Sequence, residues 1–198
     1  DGITAGTTAL VLNDGTMRNA AGADADLATP EVIATTNTIV VDAAGPEVTA
    51  VAITGTDASD APKATDLETG DKIVVTVTMS EATTVDTTGG TPTYTIDVGG
   101  VTKTATYVSG TGTTELVFTY TILTGDNDDT DGITAGTTAL ALVGGTLKDG
   151  AGNDATLTTT EVAATDNSIV VNTAGPEVTA VAITGTNAAG AAKTDTLV

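Results

Sequence analysis

The sequence contains no cysteine, no histidine and no tryptophan. Without cysteine the chain has neither disulfides nor a thiolate nucleophile. Without histidine it cannot build a Ser-His-Asp or Cys-His arrangement, and it loses the commonest transition-metal ligand. Four other aromatics are present, Tyr94, Tyr107, Phe118 and Tyr120, too few for a carbohydrate- or base-stacking platform. Basic residues are scarce as well: 6 Lys and Arg stand against 26 Asp and Glu, for a formal net charge of −20. That balance repels phosphate backbones and anionic lipid, which sets nucleic acid and lipid docking aside. No apolar run approaches the roughly 18–20 residues of a membrane span, so no membrane insertion is expected in this segment. Catalysis would have to run on carboxylates alone. Glu81, Glu115 and Asp97 could in principle pair as acid and base, but nothing in their spacing sets them apart from surface carboxylates, and the chain reads as a non-enzyme.

Thr, Ala, Gly and Val are abundant instead. Thr and Val favour strands because β-branching fits a pleated surface; Gly with Asn and Asp favours turns. The chain begins without Met and shows no signal peptide, so it reads as an interior piece of a longer exported protein whose signal lies elsewhere.

The strongest sequence feature is an internal repeat. DGITAGTTAL occurs at Asp1–Leu10 and at Asp131–Leu140, and GPEVTAVAITGT at Gly45–Thr56 and at Gly175–Thr186. Both pairs are offset by about 130 residues, and at that offset about 44 of the 68 aligned positions are identical. The unit is of single-domain size. Its phase follows from punctuation: Val40-Val41-Asp42 runs into Gly45-Pro46, and Val170-Val171-Asn172 runs into Gly175-Pro176. Gly-Pro marks a stiffened loop. The expected organisation is residues 1–42 as the C-terminal part of one domain, 45–172 as a complete domain, and 175–198 as the start of a third.

Period-2 alternation marks the strands of the complete domain. Ile73, Val75, Val77 and Met79 share one face, and Tyr94, Ile96 and Val98 share another. Gly99-Gly100 turns the chain into Val101–Val108 as a hairpin with a two-residue loop. Leu116, Phe118, Tyr120 and Ile122 alternate with Val117, Thr119 and Thr121. Glu47–Thr54, Thr138–Val143 and Ser168–Val171 supply further strands. About seven strands without helical periodicity favour an all-β, antiparallel β-sandwich. A barrel stays open; a β-solenoid is disfavoured because the repeat far exceeds one rung.

The ordered motifs Gly-Pro-x-Val-Thr, Gly70-Asp71-Lys72-Ile73, Val77-Thr78-Met79-Ser80-Glu81-Ala82, Thr91-Pro92-Thr93-Tyr94, Ala105-Thr106-Tyr107-Val108-Ser109-Gly110 and Asp149-Gly150-Ala151-Gly152-Asn153 form a specific set. With them the chain resembles the bacterial Ig-like tandem repeats of large calcium-dependent surface adhesins, the RTX and biofilm-associated types. The resemblance implies an Ig-like sandwich, export to the bacterial cell surface, and calcium at loops and domain junctions. It also implies an extender role, with neighbouring Ig-like repeats of the same chain as partners. The alternative function is an Ig-like module that itself contacts a glycan, a host protein or a sister chain.

Calcium takes six to eight hard oxygen ligands. The densest oxygen cluster is Asp126, Asn127, Asp128, Asp129 and Asp131, closed by Gly132. Carboxylates crowded this closely repel unless a cation sits among them. The spacing imitates the start of an EF-hand loop, but Thr138 stands where the twelfth-position Glu would be. The plain alternative is a solvated acidic turn. The resemblance suggests that Glu81 completes the same site from a neighbouring loop; otherwise it is an exposed strand-end Glu. It also implies ligand roles for Asp149 and Asn153, where the alternative is a Gly-rich turn using Asn for left-handed geometry. The upstream copy carries Asn19 and Ala23 at those two positions and should bind more weakly. Asp42 and Glu47 flank the Gly-Pro junction, where a cation would stiffen the hinge and where the alternative is a polar linker. A halophilic origin would explain the acidity differently, through dependence on general salt rather than on calcium.

Overall fold

The computed structural model describes residues 3–33, 39, 41–128, 132–181, 184–186, 188–190 and 192–193, with backbone only at 128 and 193. The chain divides into two compact units, Asp1–Gly45 and Pro46–Val198. The described residues form strands and turns with one 3₁₀ turn at Ala164–Asp166. No helix among them is long and apolar enough to cross a membrane.

In the larger unit the strands are β1 (Val48–Thr56), β2 (Lys72–Asp86), β3 (Thr93–Val98), β4 (Val101–Ser109), β5 (Thr113–Thr121), β6 (Asn127–Asp128), β7 (Leu140–Ala141), β8 (Thr146–Lys148), β9 (Val171–Asn172), β10 (Gly185–Thr186) and β11 (Ala192–Lys193). One antiparallel sheet runs β1-β2-β5-β4-β3-β7, with β8 also paired to β2; β6 pairs β9, and β10 pairs β11. The sheet curls along β2, whose 15 residues serve different neighbours at its two ends. Its first half pairs β1 and β5, and the β5 register breaks between Thr78 and Thr83. Beyond that irregularity Thr84, Val85 and Asp86 pair with Lys148, Leu147 and Thr146 of β8. Such breaks bend and twist a strand, which lets one strand turn a corner.

The alternation expected from sequence is the alternation observed. Ile73, Val75, Val77 and Met79 of β2, Tyr94, Ile96 and Val98 of β3, and Leu116 and Phe118 of β5 are all buried. The ring of Phe118 lies 6.0 Å from Tyr94 and 5.7 Å from Tyr107, the latter edge-on, a favoured aromatic geometry. The β3–β4 hairpin turns on Gly99 and Gly100, with φ of 60° and 82°. Both fall in the left-handed region that a two-residue hairpin loop of this hand demands.

Three strands differ from the sequence expectation. β2 continues past Met79 because β8 offers it a second partner. The Thr138–Val143 stretch contributes only Leu140–Ala141, paired to Tyr94 and Thr93. The Ser168–Val171 stretch contributes Val171–Asn172, paired to Asp128 and Asn127. Short apolar runs signal burial better than they signal ladder length.

The smaller unit has its own skeleton, and it repeats the local hydrogen bonding of residues 132–162. Ala5 bridges Val32 as Ala135 bridges Val162, and Arg18 bridges Asp24 as Lys148 bridges Asp154. The Ala25 N–H donates to the Met17 carbonyl at 2.8 Å, and the Ala155 N–H to the Leu147 carbonyl at 2.9 Å. The sequence repeat is thus a repeat of local structure.

Candidate metal centre

Asp149 opens the turn that follows β8, and it is 5 % exposed. Its Oδ1 accepts the backbone N–H groups of Ala151 (2.9 Å), Gly152 (2.6 Å) and Asn153 (2.8 Å). Its Oδ2 accepts the Asn153 side-chain N–H at 2.7 Å. The fold of this turn is dictated locally: Gly152 has φ of 96°, and the Asp149 N–H closes the loop onto the Asn153 carbonyl at 3.1 Å. Burial pushes the Asp149 carboxyl up, but the Asn153 side chain and the three backbone N–H groups outweigh it and hold the group below the usual carboxylate range. The side chain is therefore a carboxylate at neutral pH.

The upstream copy builds the same turn with different chemistry. Asn19 Oδ1 accepts the N–H groups of Ala21 and Ala23, each at 3.0 Å, and the Asn19 N–H donates to the Ala23 carbonyl at 3.0 Å. The geometry needs an oxygen at this position but not a charge. The charge at Asp149 is extra to the turn.

Glu81 lies within β2, not after it. Side chains alternate along a strand, and Glu81 shares the inward phase of Met79 and Thr83 while remaining half-buried. Glu81 and Asp149 each offer a carboxylate oxygen within 4.8 Å of the other. Like charges so placed repel, and a cation would relieve them. The donors are all hard oxygens, the set that suits calcium or magnesium rather than zinc or copper. Asn153, on the same turn as Asp149, completes the group of sequence-expected residues found together. Glu47 is exposed; its backbone bonds Ser80, with the Ser80 N–H reaching the Glu47 carbonyl at 2.7 Å.

The acidic run that looks densest in sequence is arranged differently. Asp126 is buried, and both its oxygens are engaged. Oδ1 pairs with Lys103 Nζ at 2.5 Å; Oδ2 accepts the Tyr120 hydroxyl at 2.7 Å and the Leu123 N–H at 2.9 Å. Burial raises the Asp126 carboxyl, but Lys103, Tyr120 and the Leu123 N–H together hold it low. Asn127 Oδ1 accepts the Thr173 N–H at 2.9 Å. Asp128 contributes backbone pairing to Val171, and Asp129 and Asp131 lie outside the described residues. Sequence reading gave neither Lys103 nor Tyr120 a role beside this carboxylate. The available signal was position: Lys103 falls in the same strand phase as buried Ala105.

A second ion pair, Lys63 with Asp71 at 2.7 Å, holds the β1–β2 connection. Asp71 also accepts the Glu68 N–H at 2.8 Å, and its carboxyl, pushed up by burial, is held low by Lys63 and that N–H.

No family model, no curated protein and no solved structure matches this chain.

Proposed function

We propose that the chain is a structural extender segment of a bacterial cell-surface adhesin, built from Ig-like sandwich modules of about 130 residues and stiffened by calcium. On this reading residues 45–172 are one module, 1–42 close a preceding one, and 175–198 open the next. The observation that carries the calcium part is the pair of carboxylates Glu81 and Asp149, whose oxygens approach within 4.8 Å. Asp149 and Glu81 supply the buried and half-buried oxygens, and Asn153, on the same turn as Asp149, an amide oxygen. Calcium would neutralise like charges and fasten the β8 turn to β2. Asp42, Glu47 and the Asp126–Asp131 loop remain proposed ligands of further junction and loop cations; of that loop, Asp126 also serves the fold through Lys103 and Tyr120.

The interior placement of the aromatics favours an extender over a binding module. Tyr94 and Phe118 are buried, and Tyr107 and Tyr120 are packed against the core, so the four provide no exposed stacking face.

Melting with and without calcium tests the proposal. A site whose Kd lies tenfold below the free calcium concentration adds about 1.4 kcal/mol, or about 4–8 °C in a domain of this size. Sodium chloride at equal ionic strength should not reproduce that shift. An unchanged midpoint after chelation, or an equal response to sodium chloride, overturns the calcium reading.

A further inference from the structure

Corresponding apolar residues in the two copies of the repeat have opposite exposures. Leu10, Met17, Val32 and Val41 are 43 %, 48 %, 41 % and 74 % exposed, whereas Leu140, Leu147, Val162 and Val171, one repeat downstream, are 4 %, 2 %, 4 % and 0 % exposed. Three of these four pairs are the same residue, and Met17 against Leu147 keeps the volume. The backbone around Leu10, Met17 and Val32 is the same too, with Ala5–Val32 matching Ala135–Val162 and Arg18–Asp24 matching Lys148–Asp154. What differs is the cover.

In the downstream copy the cover comes from residues 67–97. Leu140 pairs with Tyr94, Leu147 with Val85, and Val171 with Leu67. The 1–45 unit has the corresponding apolar side chains in a matching frame. We propose that the apolar face presented by Leu10, Met17, Val32 and Val41 is a docking surface for a second copy of residues 46–128, supplied from the same chain ahead of Asp1, in the register already used downstream. Leu10 then pairs with that copy's Tyr94, Met17 with its Val85, and Val41 with its Leu67. Supply from a separate molecule is disfavoured, because there residues 132–172 already occupy the strands at the effective concentration of an intramolecular partner. The inference deepens the modular reading above and does not depend on calcium.

The test joins a second copy of residues 46–130 directly ahead of Asp1 in the full chain. Because the sequence has no cysteine, one engineered pair reports one contact: Met17→Cys with Val85→Cys in the added copy. Directly opposed strand residues are within disulfide reach. The control is Leu147→Cys with Val85→Cys in the original copy. The expected result is an intramolecular disulfide in both proteins, with amide exchange at Ala25 and Val32 slowed by more than about 10-fold on adding the copy. A disulfide in the control alone, one that links separate molecules, or unchanged exchange at Ala25 and Val32 each overturns the proposal. Running both proteins with calcium and with chelator separates its failure from failure of the calcium reading.

Discussion

Asp126, inside the densest acidic run of the sequence, is engaged as a structural anion. It accepts from Tyr120 and Leu123 and pairs with Lys103. Asp126→Ala should leave a buried hydroxyl and N–H unmatched and cost about 2–3 kcal/mol, read by urea denaturation. Acid sensitivity follows the same groups. The carboxyls of Asp71, Asp126 and Asp149 are all held below their ordinary value. The unfolded chain, titrating near pH 3.9, therefore takes up protons before the folded chain does. Their contribution is complete above the unfolded value and is lost as pH falls through the depressed folded values. Asp126→Asn should flatten the acid limb of a stability–pH curve; an unchanged limb would show that other carboxylates govern it. Asp149→Asn is the complementary test. Asn19 already supports the same turn upstream, so this variant should fold, keep most of its stability in chelator, and lose the calcium increment in its melting temperature.

Among the elements, the hairpin and the core strands were readable from alternation alone. Tyr94, Ile96 and Val98 alternate with Thr and Asp, and two glycines supply the left-handed turn. The length of β2 was not readable, because its extension depends on β8, about 60 residues away in sequence. A strand's end is set by whether a partner continues, and partners are not a local property. The candidate metal centre was legible residue by residue, since Glu81, Asp149 and Asn153 were all singled out, but their grouping was not. The acidic run at 126–131 drew attention through proximity in sequence, whereas Asp149 and Glu81 meet through folding. One position-based signal carries information: a charge in the inward phase of a strand. Glu81 in β2 and Lys103 in β4 are both of this kind, and both face a buried carboxylate. At this scale Phe118→Ala, which removes the ring between Tyr94 and Tyr107, should cost about 3–5 kcal/mol. Gly110→Ala should also destabilise strongly: φ is 108°, and a Cβ would stand 1.9 Å from the Glu115 carbonyl oxygen. Thermal or urea unfolding checks both, and a near-neutral Gly110→Ala would refute the β4–β5 turn geometry.

For the whole molecule the governing quantity is charge. A net −20 favours expansion through self-repulsion, and few large aromatics are available to oppose it. Lysines relieve that repulsion at defined places, as Lys63 does at Asp71 and Lys103 at Asp126, and the proposed calcium would do so at Glu81 and Asp149. Chelation should therefore lower the melting temperature more at low ionic strength than at high, since salt screens what the cation neutralises. Scattering or sedimentation with chelator should also report a larger hydrodynamic radius.

The duplicated segment GPEVTAVAITGT has a consequence for how such a chain is handled. At Gly45–Thr56 it seats as β1, with Ile53 in the core; at Gly175–Thr186 the same letters leave Val178 and Val181 at 82 % and 79 % exposure. A refolding chain cannot tell one from the other by sequence, so concentrated solutions should trap exchanged dimers in which one molecule's tail fills another's sheet edge. Dilution during renaturation, followed by size exclusion, would show whether monomer yield rises as encounters between molecules become rare.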